Sequence, residues 1–431
     1  MRVLVLGSGG RESALAWALH RSASVREVVA APGNPGIARY ADVVAVDPPD
    51  PAAAVALARR VRPDLVVIGP ESPLVAGVAD ALRRVRVDVF GPDAAAARIE
   101  GSKAYAKQLM HSAGIPTARA RVFTEPEAAA AFMDQLGPPY VVKADGLAAG
   151  KGVVVTSERD VALRALRERM VDRRFGDAGA RVVIEEYLDG EEVSLIAFSD
   201  GRTVLPCEPA QDYKRAFDHD WGPNTGGMGS YSPVPACPPD LAERIAKEVL
   251  EPMVHATARA GAPFVGALYA GLSLTSDGPK VVEFNARFGD PETQALLPRL
   301  ESDFGDVCRA AARGDLGGAR LQWSRDVCVS IVLASGGYPG RYATGVPIMG
   351  VDRAEFLHGV TVFHAGTKAA RDGLVTAGGR VVAVSAVAPT FAQARALGYR
   401  AANRIHFRNM YMRSDIGLRA ERWEAFEREV R

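Results

Sequence analysis

The chain has 431 residues, too many for one hydrophobic core, so its length predicts roughly two to four domains. Hydrophobic residues make up 48% of the sequence and charged residues 24%, close to the average of soluble globular proteins, which excludes disordered and fibrous classes. The net charge of +1 provides no overall field to attract nucleic acid or an anionic membrane, and no apolar run approaches the ~18 residues of a membrane span. Any site for an anion must therefore be local.

The first 90 residues alternate strand-like and helix-like segments. Strands are predicted over residues 2–6, 28–31 and 64–68, and helices over 11–21 and from the turn at 69–73 through residue 83. Continuous apolar strands that alternate with helices indicate a parallel α/β sheet. One long helix is predicted next, over residues 93–114.

The middle of the chain carries further strands, predicted over residues 139–144, 152–156, 181–188, 193–198, 265–274 and 280–284, with a helix over 158–171. Residues 201–239 are rich in Gly, Pro, Asp and Asn, and we expect little regular structure there; long loops of this kind are usually functional or disordered. From about residue 326, strands near 327–333, 361–364 and 380–387 and a helix near 391–404 predict a separate α+β module.

The four cysteines lie far apart, without a CxxC pair. Scattered thiols in a long chain are typical of a reducing compartment, so we expect a cytoplasmic protein without a disulfide or zinc framework. The chain has 8 lysines against 44 arginines, and five of the eight lie between residues 103 and 214. Because an ammonium group is a compact point charge that arginine does not replace at a phosphate, each of these lysines is of interest.

The first predicted strand leads into GSGGRE (residues 7–12) and then into a helix. Backbone N–H groups at a helix start bind anions, and glycines let an anion approach the backbone. The dinucleotide fingerprint is incomplete: its third glycine is missing, and Ala30-Ala31-Pro32 stands where an acid should hold a ribose. The motif favours a phosphate site over an NAD site, with a tight turn that binds no ligand as the alternative.

A glycine-rich loop, KADGLAAGKG (residues 143–152), joins two predicted strands. It differs from a Walker motif because three residues separate Gly146 from Gly150, Gly152 replaces the hydroxyl residue, and a strand follows. We interpret it as a hairpin loop whose N–H groups fold over phosphates, flanked by Lys143 and Lys151.

Two charged segments follow. EEYLDGEE (185–192) is either an acidic edge strand or an adenine and ribose clamp, with Glu192 as the ribose candidate because it shares a strand face with Ser194. QDYKRAFDHDWGPNTGGMG (211–229) could be an exposed loop, but it pairs Asp212 with Lys214 and ends in glycines, as a closing active-site segment does. His219 is expected to be a surface residue.

The segment VVEFNARFGDPETQ (281–294) starts as a strand. Because strand side chains alternate, Glu283, Asn285 and Arg287 should share one face, with Val282 and Phe284 on the other. A carboxylate and an amide oxygen suit Mg²⁺ that also binds phosphates, and a guanidinium grips a carboxylate or phosphate with two hydrogen bonds. A solvated strand face is the alternative.

Together these segments resemble the ATP-grasp superfamily, and within it the glycinamide ribonucleotide synthetase (phosphoribosylamine–glycine ligase) family. The matching motifs are those at 7–12, 143–153, 185–192, 211–229 and 283–294, with GNPG (33–36), GPE (69–71), GSKAYAK (101–107), SGGYPG (335–340) and SDIG (414–417). The resemblance implies an α/β and α+β multidomain fold. A Rossmann-like N-terminal substrate domain would span 1–102, an ATP-grasp core 103–322 with a small lid subdomain at about 121–190, and a C-terminal α+β domain 326–431.

The resemblance also implies site residues. Those implied to bind ATP are Lys103, Lys143, Gly146, Gly150, Lys151, Gly152, Glu185, Glu186, Leu188 and Glu192. Those implied to bind the other substrates are Gly9, Gly10, Arg11, Glu12, Asn34, Gly36, Glu71, Asn224, Thr225, Gly226 and Asp290. Catalytic roles are implied for Arg287, Lys214 and Asp212, and Mg²⁺ (or Mn²⁺) ligation for Glu283 and Asn285. Residues 266–274 lack the additional acidic ligand of many relatives, which makes one metal ion more secure than two.

The implied reaction joins glycine to 5-phosphoribosylamine through glycyl phosphate, with ATP converted to ADP and phosphate. The implied partners are these small molecules, with no nucleic acid or membrane, and we expect a monomer or weak dimer. Three alternatives stay open: another ATP-grasp carboxylate–amine ligase of purine synthesis, an NAD-dependent dehydrogenase, and a nucleotide sensor without catalysis.

Overall fold

The computed structural model describes residues 1–46, 50–148 and 152–430. Its N-terminal part comprises β1 (Arg2–Gly7), α1 (Gly10–Arg21), β2 (Glu27–Pro32), β3 (Asp42–Val43), α2 (Pro51–Val61), β4 (Leu65–Ile68), α3 (Glu71–Val75), α4 (Val78–Arg84), β5 (Asp88–Phe90) and α5 (Ala94–Gly101). The strands pair in parallel in the order β3-β2-β1-β4-β5, as in Rossmann-like sheets. The predicted parallel α/β sheet is confirmed.

Two helices that were predicted to be continuous are broken. Gly77 adopts a left-handed backbone (φ 81°) between α3 and α4. Ser102 is extended and separates α5 from α6 (Lys103–Ala113), and its hydroxyl caps α6 by accepting the Tyr105 N–H. The break places Lys103 at the first turn of a helix.

After α6 the chain forms a small sheet. It comprises β6 (Ala120–Phe123), α7 (Pro126–Leu136), β7 (Tyr140–Ala144), β8 (Val153–Thr156), α8 (Arg159–Met170) and β9 (Val182–Glu185). The strands are antiparallel in the order β6-β9-β7-β8. Helices α7 and α8 cover one face of this sheet, where Phe132 of α7 shares a core with Val142 of β7 and Ile184 of β9. The opposite face is therefore available to the site.

The next segment contains β10 (Glu191–Asp200), β11 (Val204–Pro206), β12 (Gln211–Asp212), β13 (Arg215–Phe217), β14 (Trp221–Asn224), β15 (Gly229–Ser232), α9 (Pro239–Ile245), α10 (Glu251–Arg259), β16 (Val265–Thr275), β17 (Gly278–Asn285), α11 (Glu292–Leu296) and α12 (Phe304–Arg313). A second antiparallel sheet has the order β11-β10-β16-β17. The expectation of little regular structure over 201–239 was wrong, because β11 to β15 lie there.

The C-terminal part comprises β18 (Val327–Ser335), β19 (Pro347–Ile348), α13 (Val351–Glu355), β20 (Val360–His364), β21 (Thr367–Ala370), β22 (Gly373–Thr376), β23 (Arg380–Ala388), α14 (Phe391–Ala402), β24 (Met410–Tyr411) and α15 (Leu418–Val430). Its α+β character is as predicted. Its main sheet runs β12-β15-β18-β23-β20 and so includes two strands from residues 211–232.

One apolar core connects these parts. It includes Leu6 of the N-terminal sheet, Leu268 of β16 and Ile331 of β18. Shared burial of this kind holds the three sheets in a fixed arrangement, so loops between them can form one site. Within the described residues, no helix is both long enough and apolar enough to cross a membrane.

Candidate active site

A β-bulge shapes β17, the strand that carries the two predicted metal ligands. Its register with β16 shifts between Val281 and Glu283, so Val282 is an extra residue. Val281 and Phe284 therefore both face the core, whereas strict alternation had wrongly placed Val282 with Phe284. The Val282 carbonyl accepts a hydrogen bond from Lys143 Nζ at 3.1 Å, which connects β17 to the small sheet.

Two lysines converge on one buried carboxylate. Lys143 Nζ lies 2.8 Å from Glu185 Oε2, and Lys107 Nζ lies 3.2 Å from Glu185 Oε1. Burial lowers the pKa of Lys107 to about 8, although the Glu185 charge opposes this shift. Glu185, which was predicted to bind ATP, is thus the counter-ion of two lysines in this structure.

Polar and charged residues of α5, α6, β9 and β17 line a common cavity. They are Glu100, Lys103, Lys107, Glu185, Glu283 and Asn285. Burial raises the pKa of Glu283, but the positive charges of Lys103, Lys214 and Lys143 outweigh it and hold that pKa below its ordinary value. Glu283 therefore stays ionised. A carboxylate among three lysines is suited to a site where a metal and phosphates bind together.

The donors at β17 fit one hard cation. Glu283 offers a carboxylate, and Asn285 offers an amide oxygen that also accepts a long hydrogen bond from Arg287 (3.4 Å). Across the ranges that the structure describes, no group of three or more His, Cys, Asp or Glu side chains could hold a metal. Mg²⁺ usually binds one or two protein carboxylates and completes its shell with water and phosphate oxygens. The donor set fits that arrangement and not an all-protein cage.

Arg287, just beyond β17, lies between two carboxylates. Its Nη2 is 2.9 Å from Glu100 Oε1 and its Nε is 3.4 Å from Glu71 Oε2. Burial lowers the pKa of Arg287, but Glu100 and Glu71 raise it above its ordinary value. Glu100 also accepts the Ala286 N–H at 2.7 Å, so it fixes the backbone at the end of the strand. The Nε of Arg287 is buried and makes no hydrogen bond to any residue that the structure describes, although its ion pair with Glu71 lies on this side.

An ionic cluster is formed by Glu192 of β10, Asp212 of β12 and Lys214, which lies between β12 and β13. Lys214 Nζ contacts the Glu192 carboxylate and lies 3.7 Å from Asp212 Oδ1. Burial raises the pKa of Asp212 to about 7, although Lys214 opposes the shift. The structure therefore joins a predicted ribose ligand to the predicted catalytic pair.

The N-terminal turn already binds carboxylates. Gly9 donates its N–H to Glu12 Oε2 (2.6 Å), and Arg11 donates its N–H to Asp290 Oδ2 (3.3 Å). The Arg11 side chain is buried, with Nε bonded to Glu12 Oε1 (2.6 Å) and Nη1 bonded to the Phe288 carbonyl (3.1 Å). Protein carboxylates thus occupy two N–H groups that were predicted to receive a substrate phosphate.

The predicted turn at Asn34 joins the N-terminal and C-terminal parts. Asn34 Nδ2 donates to the carbonyls of Ser8 (2.8 Å) and His364 (2.9 Å), and its Oδ1 accepts the N–H of Gly36 (2.9 Å). A side chain at Gly36 would overlap the His364 imidazole. Close packing therefore explains this glycine without a ligand.

The loop from Asn224 to Gly229 is held in place on both sides. Thr225 donates its N–H to the Lys214 carbonyl (2.8 Å), and the Gly226 carbonyl accepts a hydrogen bond from Arg380 (2.6 Å). Asn224 pairs with Arg215 across the ribbon β13-β14. The loop thus bridges the Asp212–Lys214 pair and the C-terminal sheet.

The other predicted ATP residues border the site. Gly146 donates its N–H to the Ala178 carbonyl (3.3 Å), and the Gly152 carbonyl accepts the Ala144 N–H (2.8 Å). Glu186 Oε1 accepts the Arg119 N–H (2.9 Å). Leu188 is half-buried in the link between β9 and β10. Two further predicted residues, Gly150 and Lys151, lie outside the described residues.

Gly10 has a packing role like that of Gly36, since a side chain at Gly10 would come within 2.6 Å of Gln294. His219 is exposed, as predicted.

The sequence had suggested no role for three residues that the structure places at the site: Glu100, Lys107 and Arg380. Lys107 could have been found from its position one helical turn after Lys103. Glu100 and Arg380 had no comparable signal, because each lies in an ordinary helix or strand far from its partners in the sequence.

Three family models match the chain. The N domain of phosphoribosylglycinamide synthetase matches residues 1–100, its ATP-grasp (A) domain matches 101–293, and its C domain matches 328–419. A phosphoribosylamine–glycine ligase of Streptomyces coelicolor is 50% identical over 423 residues, which cover 97% of this chain and 99% of that protein. One from Allochromatium vinosum is 49% identical over the same length.

Comparison with solved structures leads to the same family. The crystal structure of phosphoribosylamine–glycine ligase from Thermotoga maritima superimposes with a TM-score of 0.83 at 34% identity, covering 96% of this chain and all (100%) of that one. A biotin carboxylase from Campylobacter jejuni has a TM-score of 0.72 at 14% identity, covering 98% and 95% of the two chains. At that identity the likeness concerns the fold alone, and it agrees with the predicted ATP-grasp architecture.

Proposed function

We propose that this chain, which belongs to the phosphoribosylglycinamide synthetase family, ligates glycine to 5-phosphoribosylamine and converts ATP to ADP and phosphate. The product would be glycinamide ribonucleotide, and the reaction is a step of purine synthesis. Relatives that carry this activity in their names align with the chain almost from end to end.

The observation that carries the proposal is the path of residues 283–290. This segment starts at Glu283 among the lysines, passes Arg287 and reaches Asp290 at the start of α1. At about 3.3 Å per residue it spans at most ~26 Å. The proximity in sequence of the Glu283 lysine cluster and the N-terminal turn supports a two-step ligation in one site, because the activated acid must meet the amine without leaving.

For ATP, we propose that Lys103 and Lys143 bind the phosphates and that Glu192 binds the ribose. Lys143 is held towards β17 by the Val282 carbonyl, so its ammonium lies close to Glu283. The glycine-rich loop at 143–152, with Glu185, Glu186 and Leu188, would enclose the rest of the nucleotide. When bound, Mg²⁺ or Mn²⁺ on Glu283 and Asn285 would neutralise charge on the phosphates.

For glycine, we propose that Arg287 holds the carboxylate and Asp212 the ammonium group. The Nε of Arg287, which is buried and makes no hydrogen bond within the described residues, supports the first role, and the buried Asp212 supports the second. A glycine carboxylate oxygen attacks the γ-phosphorus and ADP leaves, which gives glycyl phosphate. The amine nitrogen then attacks the carbonyl carbon, phosphate leaves with that oxygen, and the nitrogen loses a proton. Fixed positive charge stabilises the phosphoryl group throughout.

For the ribosylamine, we propose a place at the junction of the Gly9–Glu12 turn, the Asn34–Gly36 turn and Asp290. These groups enclose one corner between the N-terminal and C-terminal parts. Glu71 borders this corner through its contact with Arg287. The loop 224–229 closes the site from the opposite side.

A coupled assay of ADP release tests the function. ADP should form rapidly only when ATP, glycine and 5-phosphoribosylamine are all present, with glycinamide ribonucleotide formed in equal amount. ADP release that responds to a different acid or amine would identify another ATP-grasp ligase. Nucleotide binding without ADP release under any combination would identify a sensor.

We further propose that the protein acts in the cytoplasm on small molecules alone, as a monomer or weak dimer. Light scattering over a range of concentrations tests the oligomeric state, and a concentration-independent higher oligomer would contradict it.

A further inference from the structure

Arg380 is the first residue of β23, and its guanidinium reaches from the C-terminal sheet into the site. Nη1 donates to the carbonyls of Gly226 (2.6 Å) and Asp290 (2.8 Å) and lies 3.1 Å from the Asp290 carboxylate. A single side chain thus joins the loop after β14 to the turn after β17. Hydrogen bonds from a guanidinium are charge-assisted and therefore among the stronger ones in proteins.

A second C-terminal residue supports the same loop. The hydroxyl of Tyr338 accepts the Gly226 N–H at 2.9 Å, so both polar backbone groups of Gly226 are held by the C-terminal part. Contact is close, because a Cβ at Gly226 would lie 3.0 Å from Arg380 Cζ. Gly227 has a left-handed backbone (φ 107°), and a side chain there would overlap the Pro291 ring. The loop is therefore seated directly on the Asp290–Pro291 turn.

Asp290 is the point where the three parts of the protein meet. Its Oδ2 accepts the Arg11 N–H of α1 (3.3 Å), its Oδ1 accepts Gln294 Nε2 of α11 (2.8 Å), and Arg380 comes from β23. Burial raises the pKa of Asp290, but Arg380 and Arg11 outweigh it and keep that pKa below its ordinary value. The two arginines therefore favour the ionised form of this carboxylate.

We propose that Arg380 is a positioning residue of the ligation: it fixes the Gly226–Gly227 loop against the Asp290 turn and so completes the pocket where glycine and the ribosylamine meet. The loop leads directly to the glycine site, because Thr225 is hydrogen-bonded to the Lys214 carbonyl. The turn lies three residues beyond Arg287. By contrast, Lys143, which is assigned to ATP, contacts Glu185 and the Val282 carbonyl. The inference rests on the function proposed above.

The test compares Arg380→Ala and Arg380→Lys with the wild type. Arg380→Ala should raise the KM values of glycine and of the ribosylamine about tenfold or more, as expected for the loss of a charge-assisted contact. The KM of ATP should stay within about threefold, a shift that costs little free energy. Lysine keeps the charge but lacks the planar fork, so Arg380→Lys should be intermediate. Methylguanidine added to Arg380→Ala should lower both raised KM values.

Arg299→Ala is the matched control. Arg299 is also buried, and it binds Glu208 (2.5 Å) and the carbonyls of Asp326 (2.6 Å) and Ser324 (3.0 Å), none of which has a role in the proposed site. Its loss should lower the melting temperature but leave all three KM values unchanged. If Arg380→Ala does not fold, Tyr338→Phe gives the same comparison, because it removes the acceptor of the Gly226 N–H. It should raise the KM values of glycine and the ribosylamine by a smaller factor and leave the KM of ATP unchanged.

Two results would overturn the inference. The first, provided that the wild type is active, is that the Arg380 variants leave the KM values of glycine and ribosylamine unchanged or raise the KM of ATP equally. Arg380 would then be a structural residue only. ADP release by the wild type that needs neither co-substrate would instead overturn the proposed function, and this inference with it.

Discussion

The carboxylate of Asp290 lies at the first turn of helix α1, where its Oδ2 accepts the backbone N–H of Arg11 at 3.3 Å. The helix dipole favours an anion at this position, and the sequence suggested that the anion would be a substrate phosphate. The protein instead places Asp290 there and Glu12 beside it. Arg11 balances these charges, so it is first of all a structural residue.

Arg11→Ala should therefore destabilise the fold. It leaves the Glu12 carboxylate, whose side chain is 3% exposed, without its cationic partner. Breaking a buried pair from one side costs about 3–5 kcal/mol, which urea unfolding would measure. Arg2→Ala is the control, since its pair with Glu27 is about one-third exposed (31% and 33%) and such a pair contributes at most ~1 kcal/mol. Equal small losses in both variants would contradict the structural role.

Glu283→Gln should abolish turnover while the fold is retained. The amide keeps the shape of the side chain but removes a negative metal ligand, which costs several kcal/mol of transition-state stabilisation. Turnover at a series of Mg²⁺ concentrations, with the melting temperature as a fold check, measures the effect. Asp277→Asn, in the exposed turn before β17, should behave like the wild type. Near-normal activity of Glu283→Gln at limiting Mg²⁺ would contradict the metal assignment.

The KM of glycine should fall as the pH rises through about 7. Burial raises the pKa of Asp212 to about 7, so below this pH the carboxyl group is neutral and cannot pair with the glycine ammonium. Glycine itself stays protonated on nitrogen over this range. Measurements of the glycine KM between about pH 6 and about pH 8 test this. In Asp212→Asn the KM should no longer change with pH over this range. A wild-type profile with the opposite slope would show that Asp212 does not hold the ammonium.

Gly226→Ala should weaken the use of glycine without improving the use of alanine. The added Cβ would lie 3.0 Å from Arg380 Cζ and 3.3 Å from the Tyr338 hydroxyl, so the Arg380 and Tyr338 side chains or the loop must give way slightly. Overpacking of this kind costs about 1–3 kcal/mol. Gly317→Ala is the control, because no atom of the described residues lies within 4 Å of its added Cβ. A lower KM for alanine in Gly226→Ala would show that the loop does not enclose the α-carbon.

Local patterns predicted the parts of the fold whose residues are close in sequence. The continuous apolar strands β1, β2 and β4 indicated a parallel sheet, and the alternating residues of β17 placed Glu283 near Asn285. The short strands between residues 201 and 239 could not be predicted in this way. The strand β15 pairs with β18, about a hundred residues later, through Gly229 and Ile331, and this distant partner specifies it.

The same limit applies to the site. Glu100 contacts Arg287 and the Ala286 N–H, but it lies at the end of a plain alanine-rich helix. Arg380 is the first residue of β23, and the sequence of this strand does not distinguish it from other apolar strands. The bulge at Val282 changes which residues face the core, because the pairing with β16 overrides strict alternation. Such features depend on the partner strand or helix, which a single segment of sequence does not contain.

The central claim is that glycine is activated as glycyl phosphate in a site shared with the ribosylamine, and an isotope-transfer experiment tests it most directly. The enzyme is supplied with ATP, ribosylamine and glycine labelled with ¹⁸O in both carboxylate oxygens. Because the attacking carboxylate oxygen leaves with the phosphoryl group, each released phosphate should carry one ¹⁸O, and the amide product should keep the other. Unlabelled phosphate released in step with glycinamide ribonucleotide would contradict the account.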